Sequence, residues 1–183
     1  QSCVSQSSRL NNQKFNQDWL FYKADASKAN TVDFDDSSWR ALDLPHDWAI
    51  EGPFSDTNDA RTGGLPISGT AWYRKHFSID KKHQGKNVTV SFDGIMNNST
   101  IWMNGQKVGG RPFGYIGFEV DLTPYVKFGE ENVIAVKVSP EELSARWYPG
   151  AGIYRNVWLD IRNPVHVAHW GTYVTTPKIL SQE

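Results

Sequence analysis

The chain is short of cysteine, of net charge and of long apolar runs, and each shortage removes a class of explanation. Cys3 is the single cysteine, so neither an intrachain disulfide framework nor a thiolate metal cluster can form. Nineteen Lys and Arg against 20 Asp and Glu leave a formal charge of −1. That balance offers no electrostatic footprint for nucleic acid or an anionic membrane. No apolar run approaches the roughly 20 residues of a membrane helix, and no stretch holds the apolar period of a long amphipathic helix. Phosphate loop, dinucleotide fingerprint and redox cysteine pair are missing, so no cofactor is expected.

What is present is aromatic. Aromatics make up 13% of 183 residues, eight of them tryptophan, and most are expected in a sheet interior because large rings favour strands and burial. Period-two alternation dominates. Val88, Val90 and Phe92 face one way within 87–92; Ile134, Val136 and Val138 do so within 132–138; Val157, Leu159 and Ile161 do so within 156–162. Further strands are expected over 15–22, 71–79, 99–104, 106–109 and 117–121. Asn104-Gly105 predicts a type I′ hairpin turn. Thr123-Pro124 predicts one helical turn, and Asp35 to Trp39 another. About eight short strands with polar turns predict an all-β chain, a β-sandwich of jelly-roll type.

The organisation expected is a polar, flexible leader over 1–13, the sandwich domain over 14–163, and a restart of strand pattern after Asn163-Pro164 over 164–183. Two segments break the alternation, 43–70 and 139–152. Both carry large aromatics, which marks them as built loops rather than disordered linkers, and long built loops often carry function.

Catalytic equipment is sparse. Glycoside hydrolysis needs two carboxyls across a scissile bond, but the pairs Asp35/Asp36, Glu130/Glu131 and Glu141/Glu142 are sequence neighbours that are expected to be solvated. His46-Asp47 has no nucleophile in context and reads as a loop fastener. His166 and His169 would split across strand faces, so no metal site is expected. The triplets starting at Asn87, Asn97 and Asn98 match the glycosylation pattern by chance composition. The better candidates are Arg146, Trp147 and Tyr148. A guanidinium fork suits sugar hydroxyls or a carboxylate, and an adjacent ring suits the C–H face of a pyranose. The competing reading, in which Arg146 pairs with an acid at an interface and Trp147 packs inward, stays open. Asp56, Asn58, Asp59 and Arg61 form a second polar loop.

The ordered segments LPHDW (44–48), GTAWYRKHF (69–77), FDGI (92–95), WMNGQKVG (102–109), GFEVDLT (117–123), ENVIAVKV (131–138) and RWYPGAGIYRNVWL (146–159) resemble the N-terminal sugar-binding domain of glycoside hydrolase family 2, the β-galactosidase and β-glucuronidase family. HVAHWGTYVTTP (166–177) is similar to the start of that family's immunoglobulin-like domain. The resemblance implies a jelly-roll, galactose-binding-domain-like fold at the head of a retaining exo-β-glycosidase. Its catalytic acid/base and nucleophile would lie on a TIM barrel, which at about 250 residues exceeds this chain. No catalytic residue is therefore assigned. The implied role is to shape the substrate pocket, with Arg146, Trp147, Tyr148, Asp59, Arg61 and Ser68 as substrate-binding candidates. Arg146 stands where some β-galactosidases present an Asp, which reverses the charge. Ser68 belongs to a pocket-edge loop, 65–69. HDW followed by EGPF resembles the β-galactosidase branch more than the glucuronidase one.

The implied partners are a β-galactoside-like carbohydrate and the barrel and immunoglobulin-like domains of the same full-length chain, with homo-oligomerisation open. A bacterial periplasmic or secreted location is expected. Two other readings compete: an autonomous carbohydrate-binding module, and a purely structural interface domain.

Overall fold

A computed structural model describes residues 12–140 and 145–177. Among the described residues, ten strands form two antiparallel sheets. The four-stranded sheet runs β1 (Asn12–Lys14), β10 (Val157–Arg162), β5 (Asn87–Phe92), β8 (Phe118–Asp121). The six-stranded sheet runs β3 (Arg40–Leu42), β2 (Trp19–Tyr22), β4 (Ala71–Ser78), β9 (Glu131–Val138), β6 (Thr100–Met103), β7 (Gln106–Gly109). The all-β jelly-roll sandwich expected from the alternation is the fold observed.

The core lies between the sheets and follows the period-two pattern. Val88, Val90 and Phe92 of β5 face Ile134, Val136 and Val138 of β9, all buried in one cluster with Trp19 and Tyr73. Each such side chain contributes roughly 1.5–3 kcal/mol by leaving water. Asn104 and Gly105 both take positive φ, 49° and 83°, and close the β6–β7 hairpin as expected. The Asn104 side chain is also a joint: Nδ2 donates to the Tyr125 carbonyl and Asn132 Oδ1, and Oδ1 accepts from Val133 N.

The outer face of the six-stranded sheet is also covered. Ala29 and Trp39, from the 23–39 connection, pack on Trp72 and Ala135 as a second small core. Arg74, fully buried on that face, is held by Asp36 Oδ2 at 2.5 Å and by the carbonyls of Ala29 and Thr31. The helical turn expected over Asp35 to Trp39 is instead a tight turn in which Asp35 Oδ1 accepts from Ser37 N and the Asp36 carbonyl from Trp39 N. Short polar side chains that bond their own backbone compete with helix. At Thr123-Pro124 the backbone does make one turn, with Val126 N donating to the Leu122 carbonyl. Its cap is Asp121, while Thr123 Oγ1 is bonded to Val88 of β5.

The ends of the sandwich can be described in part. Strand β1 pairs Asn12–Lys14 with Asp160–Trp158, and the leader expected over 1–13 lies, but for its last two residues, outside the described residues. Residues 163–177 contain no strand and expose Val165, Trp170 and Tyr173.

Register determines where the loops gather. Ala71 pairs with Val138, Phe92 with Phe118 and with Val157. The connections 93–99 and 110–117, the stretches 139–140 and 145–156 and the later part of 43–70 therefore leave the sandwich at one end.

Candidate functional site

The loop end is fastened around Asp47. Residues 43–48 run along the side of the sandwich, with His46 N and Trp48 N donating to the carbonyls of Ile153 and Ala151. Asp47 then caps the 3-10 turn Trp48–Glu51, its Oδ1 accepting from Ala49 N at 3.0 Å and Ala151 N at 2.9 Å. Its Oδ2 accepts from the Tyr148 hydroxyl at 2.5 Å. One carboxylate thus ties both irregular segments together. Burial, together with the neighbouring Asp47 charge, pushes the Tyr148 phenol well above its ordinary pKa, so it stays a donor.

Beneath Asp47 lies a buried polar line. His46 Nδ1 is 2.8 Å from the Tyr73 hydroxyl and Nε2 is 3.2 Å from Glu51 Oε1. An ionised carboxylate only accepts, so the His46 proton sits on Nε2 and Nδ1 accepts from Tyr73. Burial lowers the His46 pKa, against the opposing pull of Glu51. Arg40 grips Glu51 in turn and holds its carboxyl below the usual range. The dyad-like His46-Asp47 pair is a loop fastener, as its sequence context implies.

Three of the six candidates come together. Asp59, Arg61 and Ser68 line one cavity of about 320 Å³ with Asn58, Thr62 and Ile67. Asp59 caps the 3-10 turn Ala60–Thr62 through Arg61 N and also binds the Arg61 guanidinium, Oδ2 to Nε at 3.0 Å. That contact holds the fork at the cavity wall with donors to spare. The Asn58 side chain donates to the Gly64 carbonyl, and the Ser55 and Thr57 hydroxyls are 2.7 Å apart. The volume is at the small end of ligand cavities.

The other three lie on the neighbouring loop and do not line that cavity. Arg146 is exposed, Trp147 is 59% exposed and Tyr148 is 37% exposed. Trp147 therefore does not pack inward, which removes that half of the competing reading. Its Nε1 donates to the Tyr115 hydroxyl at 2.8 Å, and Phe113 meets Tyr115 edge-on at 5.5 Å. An exposed aromatic row of this kind can cover the C–H face of a sugar.

Sequence reading missed Phe113 and Tyr115 as members of this row, and which loops Asp47 fastens. Phe-x-Tyr in a Gly-rich connection, 110–117, was the available signal. Of the suspected carboxylate pairs, Asp36 serves Arg74, Asp35 caps Ser37, Glu131 lies 3.6 Å from His76, and Glu141/Glu142 lies outside the described residues. No group of three or more His, Cys, Asp and Glu side chains is placed to hold a metal among the described residues.

Comparison with known proteins agrees with this geometry. Residues 10–163 match the sequence pattern described as "Glycosyl hydrolases family 2, sugar binding domain". The chain is 54% identical over 168 residues to the β-galactosidase BoGH2A of Bacteroides ovatus, covering 90% of this chain and 20% of that protein. It is 41% identical over 171 residues to a putative β-glucuronidase of Formosa agariphila, covering 92% and 16%. A crystal structure of a glycosyl hydrolase family 2 member from Bacteroides cellulosilyticus superimposes with a TM-score of 0.88 at 46% identity, covering 92% of this chain and 23% of that one. The chain thus spans about a fifth of the length of these relatives. A sandwich whose loops converge at one end on an aromatic row and a small polar cavity, with this sequence match across 10–163, places the chain in the sugar-binding domain family of the family 2 glycosyl hydrolases.

Proposed function

We propose that this chain is the leading, non-catalytic domain of a retaining exo-β-glycosidase of β-galactosidase type. Its loop end completes the substrate pocket of a catalytic TIM barrel carried elsewhere in the full-length protein. The observation that carries this reading is the 54% identity to a β-galactosidase over 90% of this chain but only 20% of that protein. The polar cavity of Asp59, Arg61 and Ser68 and the exposed Arg146-Trp147-Tyr148 loop supply donors and an aromatic face of the kind that binds sugars. Residues 164–183 open the following immunoglobulin-like domain in this reading, supported by the end of the family match at 163.

The test is Trp147→Ala and Arg61→Ala in the full-length enzyme, assayed on an aryl β-galactoside. The expected outcome is a fall of about tenfold or more in kcat/KM with the melting temperature unchanged, which is lost transition-state binding rather than lost fold. Unaltered kinetics in both variants would overturn the reading.

A further inference from the structure

An exposed tryptophan samples several rotamers unless something holds it. Trp147 is 59% exposed. Its ring meets that of Tyr115 with centroids 6.4 Å apart and planes at 52°. That separation is near the far end of the range for ring pairs, so ring contact alone fixes the indole loosely. The hydrogen bond is what selects one rotamer: Trp147 Nε1 donates to the Tyr115 hydroxyl at 2.8 Å. An indole has a single N–H and only donates, so the bond also fixes which edge of the ring faces Tyr115.

Both partners stand on pinned backbone. At the start of the connection 110–117, Ser99 N donates to the Arg111 carbonyl and Arg111 N to the Ser99 carbonyl. In its middle, the Gly114 carbonyl accepts from the Tyr154 hydroxyl at 2.9 Å. A Cβ at Gly114 would lie 2.5 Å from Met96 Sδ, so this loop is pressed onto the chain beneath it. On the other side Tyr148, the neighbour of Trp147, is tied to Asp47. Two bonds thus cross from 110–117 to 145–156. The one from Tyr154 holds the loops together, while the one from Trp147 joins two side chains that are both largely exposed. A bond at so exposed a place adds little to stability. Its consequence is orientation.

We propose that Tyr115 is a positioning residue for the glycosidase reaction, its hydroxyl holding the Trp147 indole in one orientation for the substrate. This rests on the pocket-completing role proposed for the loop end. Tyr115 acts through Trp147 and not on the sugar. A side chain ordered in advance does not have to be ordered when substrate binds, so losing the bond weakens binding and leaves the chemical step alone.

The test is a double-mutant cycle in the full-length enzyme, read on an aryl β-galactoside. Tyr115→Phe keeps the ring and its edge contact with Phe113 but removes the acceptor. It should raise KM about fivefold, the worth of one hydrogen bond, with kcat and the melting temperature unchanged. Trp147→Ala should lower kcat/KM by itself, and adding Tyr115→Phe to it should change nothing further. Unaltered KM in Tyr115→Phe overturns the proposal. So does an equal loss from Tyr115→Phe in both backgrounds, because Tyr115 would then act independently of Trp147. If Trp147→Ala is silent while Arg61→Ala is not, the positioning role fails and the pocket reading stands; if both are silent, both fail.

Discussion

The Tyr148 hydroxyl and Asp47 Oδ2 meet at 2.5 Å across 101 residues of sequence. This contact joins the two segments that break the strand pattern, and Asp47 makes it while also accepting from Ala49 N and Ala151 N. Asp47→Ala removes a helix-turn cap and two further bonds, and should cost about 2 kcal/mol. Tyr148→Phe removes one bond at a half-exposed position and should cost about 1 kcal/mol. Denaturant unfolding measures both. Amide exchange at Ala151 should accelerate in Asp47→Ala only.

His46 gives the domain an acid-sensitive element. Burial lowers its pKa, so between the folded value and the unfolded value of about 6.5 the unfolded chain binds more protons. Stability then rises with pH through that window. The neutral-His contribution is complete above about pH 6.5 and declines as pH falls toward the folded value. His46→Gln should flatten the stability–pH curve in that interval, read by thermal melts from pH 7.5 to 5.

Arg74 and Asp36 form the most deeply buried ion pair described, with the Arg74 side chain fully buried. Burial alone would raise the Asp36 pKa, but hydrogen bonds from Arg74 and His76 outweigh it and hold it down. Its contribution is therefore present above the unfolded value of about 3.9 and lost as pH drops through the folded value. Asp36→Ala strands the guanidinium and should cost about 3–5 kcal/mol, measured by urea unfolding at pH 7.

Gly152 sits at φ +119°, and a Cβ there would collide with the Tyr73 hydroxyl and the His46 carbonyl. Gly152→Ala should destabilise by more than about 1 kcal/mol, and the His46–Tyr73 contact should loosen with it. A melting temperature equal to that of the unaltered chain would contradict this.

The strands carrying the core were legible because a half-buried strand writes its environment at every second residue. Val88, Val90 and Phe92 faced inward as their spacing required, and Asn104-Gly105 closed its hairpin. Strand β3, Arg40–Leu42, was not legible: three residues at a sheet edge, mostly exposed, leave no period to read. The second face of β4 and β9 was also hidden. Its cover, Ala29, Trp39 and Asp36, comes from a polar connection whose sequence resembles surface turn.

The candidate site divides the same way. Sequence by itself determined the all-β class, the hairpin, the family resemblance and the loops worth watching, because composition, alternation and turn chemistry are local properties. Only the tertiary structure decided that Asp59, Arg61 and Ser68 share one cavity while Trp147 joins Tyr115 on another loop. It also decided that Asp47 anchors the loop end. These are contacts between segments far apart in sequence. They depend on strand register and on which loops that register brings to the same end of the sandwich, and neither is encoded in the spacing of any one segment.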